Sequence, residues 1–343
     1  MPEEWTRLPW QDEVWSHLRP SGPATHHALL LRGPGGIGKR PLARALAAAL
    51  LCQTPAADKA ACGQCDSCRW LVAGNHPDFR RVSSAAQLLD DLAEGAEAGE
   101  PGGSAAERKA SQQITIEQVR ALSSFLALTT HRGGARVLLV EPAEAMNPAA
   151  SNALLKTLEE PGPGTRFILV SDQPRRLAPT ILSRCLCVNL VPPAPAMAMA
   201  WLIEKGIDTP QALLAQAAGR PLHALELANP EQRQARQQFL GALAAPGFDP
   251  HTLAEKAHRD TLAQWTEWLQ IWCHDLLLIK QGVSPRFHAD QAAALKQLAA
   301  RADAGRLLDW ELRLRHARYE VRQPVNARLF CDDLLMAYRA LFS

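Results

Sequence analysis

The sequence predicts an α/β domain built on a parallel sheet with a phosphate-type loop, followed by two all-helical domains. Three observations predict this. The stretch Gly33-Pro34-Gly35-Gly36-Ile37-Gly38-Lys39-Arg40 lies between the apolar run Ala28-Leu29-Leu30-Leu31 and an Ala/Leu-rich segment, Pro41 to Leu51. Short apolar runs then alternate with helical patterns as far as Leu190. Beyond Pro192-Pro193 and Pro195 every segment reads as helix, which marks a domain boundary there. At 343 residues two or three domains are expected, at roughly 150 residues each.

Composition narrows the class. The chain is 47% hydrophobic and 21% charged, enough apolar material for a sizeable core. A net charge of +2 gives no global electrostatic case for nucleic acid. No apolar stretch reaches the length of a membrane span. Met1 to Trp10 carries Glu3 and Glu4 and has no hydrophobic region, so it does not read as a signal peptide. A cytoplasmic protein without membrane contact is the expectation.

Taken in order, Gln11 to Leu18 reads as a helix and Pro20-Ser21-Gly22-Pro23 as a turn. The glycine loop comes next. Strand, glycine loop, helix is the context in which this spacing cradles phosphates. Backbone N–H groups curl around an anion and the helix N-terminus adds its dipole. Lys39 stands where a β- or γ-phosphate is gripped. The motif ordinarily ends in Lys-Ser or Lys-Thr, whose hydroxyl holds magnesium. Here that position is Arg40, a donor that cannot ligate a cation.

Of eight cysteines, Cys62, Cys65 and Cys68 fall at C-x2-C-x2-C spacing, with Cys52 a short way upstream. Four thiolates can close a tetrahedral shell around zinc, and a shell filled by protein is structural rather than catalytic. Clustering of this kind favours metal in a reducing compartment over disulfides. His76 is a weak fifth candidate. His76-Pro77-Asp78-Phe79 leads into a short strand, and residues 84–112, rich in Ala, Glu, Gly and Ser, read as a surface insertion.

Ile114 to Thr130 is expected as one helix, with Ile116, Val119, Leu122 and Leu126 on one face. Arg136 to Val140 is a buried strand. In a P-loop ATPase the acids after this strand hold magnesium and position the attacking water. Here they are Glu141-Pro142-Ala143-Glu144: Glu141 can still reach a metal through water, whereas Pro142 offers no side-chain proton acceptor. Asn147 to Glu160 is a helix ended by Pro161-Gly162-Pro163-Gly164. Phe167 to Val170 and Leu186 to Leu190 are strands, with Ser171 and Asp172 after the first. Met197 to Lys205, Pro210 to Ala218 and Leu222 to Ala228 make a three-helix unit, and four or five longer helices follow from 231. Trp265, Trp268 and Trp272 at helical spacing read as core rather than as a base-stacking platform. Arg313, Arg315, Arg318 and Arg322 read as a solvated basic face.

The combination resembles the clamp-loader ATPases of bacterial replication, within the AAA+ class. The residues that carry the resemblance are Pro9-Trp10, His26-His27-Ala28-Leu29, the loop Gly33 to Lys39, and Cys62-Gly63-Gln64-Cys65-Asp66-Ser67-Cys68. More specific still are Asn152-Ala153-Leu154-Leu155-Lys156-Thr157-Leu158-Glu159-Glu160-Pro161 and Thr180-Ile181-Leu182-Ser183-Arg184-Cys185. They cover 9–190; the C-terminal third matches only in helical character and in Asn326-Ala327-Arg328-Leu329-Phe330. The resemblance implies a RecA-like AAA+ domain over 1–190 with the zinc module at about 52–68, a helical lid over 191–230 and a helical collar over 231–343.

It further implies that a motor subunit carries a Lys-Ser/Thr ending, an Asp-Glu pair and a sensor arginine in its second domain. This chain has Arg40, Glu141-Pro142 and, after Gly219-Arg220-Pro221, Leu222; Ser171 keeps a polar group at the first sensor position. The nucleotide site at Gly33, Gly35, Gly36, Gly38, Lys39, Arg40, Glu141 and Ser171 is therefore expected to be vestigial. ATP is not hydrolysed there, while binding without hydrolysis and no binding are both compatible with Arg40. By resemblance Arg184 reaches across an interface to a neighbour's ATP. The implied partners are gamma/tau and delta subunits in a hetero-pentameric ring, with the beta sliding clamp and primer-template DNA met through the complex. Two other readings stand beside this non-catalytic one. A divergent motor that hydrolyses ATP is favoured by Lys39, Glu141 and Ser171. A free-standing zinc-dependent DNA-binding protein is opposed by the lack of a basic helix beside the cysteines.

Overall fold

The computed structural model describes residues 1–18, 26–85, 87–88, 111, 113–127, 130–131, 134–321 and 323–342. Most of the 84–112 insertion, and Arg322, lie outside the described residues. The chain divides into two compact units, Met1–Met197 and Ala198–Ser343. The expected boundaries at 190 and 230 rest on the sequence; the residues of the lid and collar fall almost wholly in the second unit. No helix among the described residues is long and apolar enough to cross a membrane.

The first unit is a five-stranded parallel sheet: β1 (Ala28–Arg32), β2 (Phe79–Val82), β3 (Arg136–Val140), β4 (Thr165–Ser171) and β5 (Leu186–Asn189). The spatial order is β2-β3-β4-β1-β5. Leu30 pairs with Leu169 of β4 on one side and Cys187 of β5 on the other. Successive side chains on a strand point to opposite faces, and a parallel sheet is covered on both, so the central strands β1, β3 and β4 read as apolar runs, while the edge strands β2 and β5 are more exposed. Leu29, Leu31, Leu139, Ile168 and Val170 pack on one face with α2 (Lys39–Leu51) and Trp15 of α1 (Asp12–Leu18). Ala28, Leu30, Leu138, Phe167 and Leu169 pack on the other with Leu154 and Leu158 of α6 (Pro148–Glu159).

Between these elements lie α3 (Asp66–Val72), α4 (Ile116–Arg120) and α5 (Leu122–Ala127). The single helix expected over 114–130 is thus two short ones. Ile114 leaves the helix to bridge Met146, and Thr115 starts α4 through a capping box with Gln118. Asn147 caps α6 by accepting from the Ala150 N–H at 2.7 Å.

The second unit is helical throughout: α8 (Pro195–Glu204, which begins in the first unit), α9 (Pro210–Gln216), α10 (Pro221–Leu227), α11 (Pro230–Ala244), α12 (Pro250–Ala254), α13 (Leu262–Lys280), α14 (Ala292–Arg301), α15 (Ala304–Glu320) and α16 (Ala327–Arg339). A four-residue α7 (Pro179–Leu182) precedes β5 in the first unit. Trp265, Trp268 and Trp272 are buried in one core with Trp310 and Tyr338. The Trp272 indole donates to the Tyr338 hydroxyl at 3.2 Å, which donates to the Leu243 carbonyl at 3.0 Å, so burial strands neither polar group. On α15, Arg313 pairs with Asp333 and Arg315 with Glu311 at 2.6 Å.

Asp275 ties the segment after α13 to the core. Its carboxylate accepts from the N–H groups of Arg286, Phe287 and His288 at 2.8, 3.0 and 2.8 Å, and from His288 Nδ1 at 2.8 Å. Burial pushes this carboxyl up, but the His288 imidazole and the N–H donors outweigh it and hold it below its ordinary 3.8. A depressed pKa stabilises the fold fully above that ordinary value, and the contribution is lost as pH falls through the folded-state value. Asp275→Ala leaves buried donors unpartnered and is expected to cost about 3–5 kcal/mol. A urea midpoint at pH 7 unchanged from wild type would refute this.

Candidate functional site: a self-paired P-loop and a four-thiol cluster

The loop emerges at the carboxyl end of β1, flanked by the parallel strands β4 and β5, with β3 beyond β4, and the carboxyl end is where open α/β sheets place their ligand crevice. Two glycines are required by space as well as by backbone. At Gly33 (φ +154°) a Cβ would strike the Leu190 carbonyl, and at Gly38 (φ +90°) it would strike Leu8. The N-terminal segment also braces the loop: Trp10 Nε1 donates to the Ile37 carbonyl at 3.0 Å and the Gln11 amide to that of Gly38 at 2.7 Å.

Each charged group of the site is engaged within the chain. Lys39 is only 3% exposed. Its Nζ sits 2.5 Å from Asp172 Oδ1 and also donates to the Pro34 carbonyl. Burial pulls the ammonium below its ordinary value, with Asp172 opposing. Arg40 donates to Gln87 Oε1 at 2.6 Å. Glu141 is fully buried, and its Oε1 accepts from Arg44 Nη2 at 3.1 Å and pairs with Arg81 Nε at 2.8 Å. One oxygen of the acceptor that the sequence leaves available to a metal is therefore held between two guanidinium groups, while its buried Oε2 accepts no hydrogen bond from the described residues. Glu144 Oε1 accepts from the N–H groups of Asp172 and Gln173 at 3.0 and 3.1 Å, and Ser171 is buried beside them.

The sequence reading missed Asp172, Glu144, Arg44 and Arg81 as members of this network. Two signals were there to find: a carboxylate just past a core strand, and Arg44 within the otherwise apolar segment Pro41 to Leu51.

Arg184 lies apart from the loop, in the turn between α7 and β5. Its Nη1 donates to the Thr180 carbonyl at 3.0 Å and its Nη2 pairs with Glu159; the side chain is 33% exposed. Arg220 donates to the Ala217 carbonyl at 2.7 Å and pairs with Glu267 at 3.2 Å.

Cys52, Cys62, Cys65 and Cys68 come together with all four Sγ atoms within 4.8 Å of one another. Cys52 to Cys65 and Cys62 to Cys68 are each 3.9 Å apart. A tetrahedron with metal–sulfur bonds of about 2.3 Å has edges of about 3.8 Å, so the cluster has the dimensions to hold a metal ion. Donors that favour thiolate converge on Cys62: the Thr54 hydroxyl at 3.2 Å and the Gln64 and Cys65 N–H groups at 3.4 Å each. Led by Thr54, they bring the Cys62 thiol down to about 5, while burial pushes Cys68 up. His76 is not a ligand here. Its Nδ1 accepts from the Asp78 N–H at 3.0 Å, which leaves Nε2 to donate to Ser67 Oγ at 2.7 Å.

The sheet order, the loop on β1 and the polar positions after β3 and β4 define a P-loop domain of the AAA+ class. Comparison with known proteins narrows this. Residues 11–194 match the family described as DNA polymerase III, delta subunit, and 230–339 match DNA polymerase III, delta subunit, C terminal. The chain is 36% identical to DNA polymerase III subunit delta' of Pseudomonas aeruginosa over 97% of both chains. It is 31% identical to subunit delta' of Escherichia coli K12, over 97% of this chain and 93% of that one. It also matches DNA polymerase III subunit tau of that organism at 32% identity, over 48% of this chain and 22% of tau. The chain belongs to the delta' subunit family of DNA polymerase III.

Proposed function

We infer that this chain is a non-hydrolysing subunit of a clamp loader, and that it supplies Arg184 in trans to a neighbouring subunit's ATP. The observation that carries the first half is the self-paired site. Lys39 is held by Asp172, Arg40 by Gln87, and Glu141 by Arg44 and Arg81, while Pro142 offers no base. The second half is supported by Arg184 in its Ser183-Arg184-Cys185 context, outside the loop and partly exposed. An arginine presented to a transferring phosphoryl group stabilises its charge, and a planar fork does this better than an ammonium.

The partners in this reading are gamma/tau and delta subunits in a five-membered ring, which places the beta sliding clamp on primed DNA in the cytoplasm. The similarity to tau supports the shared assembly. The cysteine cluster holds structural zinc, supported by four thiols at tetrahedral spacing.

The test is ATP hydrolysis by the purified chain with Lys39→Ala as control. Equal, background rates are expected for both. Turnover that Lys39→Ala abolishes would overturn this reading in favour of a motor subunit.

A further inference from the structure

The lysine of this P-loop is already paired with an anion, and the anion is the chain's own. The Asp172 carboxylate faces the loop: Oδ1 lies 2.5 Å from Lys39 Nζ, and Oδ2 is near enough to Gly35 that an added Cβ there would stand 3.2 Å from it. This placement is built into the backbone. Glu144 Oε1 takes the N–H groups of Asp172 and Gln173 at 3.0 and 3.1 Å, and Ser171 Oγ takes that of Gln173 at 3.2 Å. Lys39, the partner, is buried.

We propose that Asp172 decides the occupancy of the loop: its carboxylate stands in for a condensed phosphate at Lys39 and keeps such ligands out. The inference rests on the reading of a silent site and deepens it. It assigns the silence to an occupied cradle, in addition to the missing magnesium ligands. The charges support this. The Lys39 cation is neutralised by Asp172, and Glu144 adds a second negative charge that acts on Lys39. A di- or triphosphate entering there brings like charge against two carboxylates, a costly juxtaposition in a partly desolvated site. With the Asp172 charge removed, Lys39 and the N-terminal N–H groups of the 13-residue helix α2 face an incoming oxyanion. Arg40 and Glu141 are engaged elsewhere, so the binding needs no magnesium.

The experiment titrates the full chain with sodium tripolyphosphate in EDTA by calorimetry. It compares wild type, Asp172→Asn, Asp172→Ser and Asp172→Asn/Lys39→Ala. The Asp172 side chain is 37% exposed, and the two single variants differ in size, so a folding fault in one leaves the other as the test. Expected is a gain in affinity on the order of a hundredfold in both single variants, lost again in the double variant. Repeating the titration with ATP separates the sources of the phosphate chain. Equal affinity assigns the phosphates alone, and tighter binding assigns a nucleotide, with Asp172 as the gate in both. The proposal is overturned if neither single variant gains affinity, if the gain survives Lys39→Ala, or if wild type binds as tightly as the variants. Without magnesium no hydrolysis is measured. Wild-type ATP turnover in the separate assay would refute the silent-subunit reading and, with it, the exclusion proposed here, whereas failure of the titration alone overturns only the role of Asp172.

Discussion

Arg184→Ala is expected to leave this chain folded and to slow ATP hydrolysis at the neighbouring subunit's site by about 10³–10⁵-fold, the range for a trans-acting arginine. The two effects separate because of where the residue lies. Arg184 is one-third exposed, and its contacts are one carbonyl, one hydroxyl and the half-exposed Glu159. Removing such a side chain changes stability by about 0.5 kcal/mol or less. Removing the same guanidinium from a developing phosphoryl charge withdraws an interaction made chiefly in the transition state. Arg184→Lys is expected to recover little, since an ammonium lacks the bidentate fork. Single-turnover hydrolysis in the assembled complex, beside thermal melting of the chain alone, separates catalysis from folding. A normal rate in the complex would refute the role of Arg184.

Stripping metal from the cysteine cluster should produce the largest loss of stability. Structural zinc in small thiolate sites contributes on the order of 10–16 kcal/mol of apparent binding free energy, and part of that is folding free energy. The four thiols lie on the turn after α2, in the following loop and on α3, so a metal joins three parts of this segment that other contacts, such as Trp15 to the Asp58 carbonyl at 3.0 Å, tie only singly. Another is the bond from Ser67 to the Leu51 carbonyl at 2.6 Å. Chelation, or Cys65→Ser, should therefore loosen residues from about 52 to 72 while the sheet persists, read by hydrogen exchange across both. Metal analysis of the purified chain should return one zinc per chain. Unchanged exchange over 52–72 after chelation would show that the cluster does not hold the module together.

The three central strands, β1, β3 and β4, were legible in the sequence because each is an apolar run bounded by turn chemistry. Their buried pattern is that of a parallel sheet covered on both faces. The cysteine cluster was legible because its ligands are close in sequence, so spacing alone constrains their geometry. The start of the helix expected over 114–130 was misread because helical periodicity in Ile116, Val119, Leu122 and Leu126 carries no sign of the Ile114 bridge to Met146, a partner more than thirty residues away.

A phosphate-type loop, and two substitutions in it and after β3, can be read off the chain alone, while Glu141 keeps an acceptor there. Arg40 and Pro142 lack the atoms for magnesium chemistry in any fold. Where the remaining charges go depends on the folded chain. Lys39 meets Asp172 from the end of a strand 133 positions later, and Glu141 meets Arg44 from a helix 97 positions earlier. Such pairs are set by which strand ends the sheet order brings side by side. A buried charge must find a partner within hydrogen-bond reach, but sequence distance does not say which one.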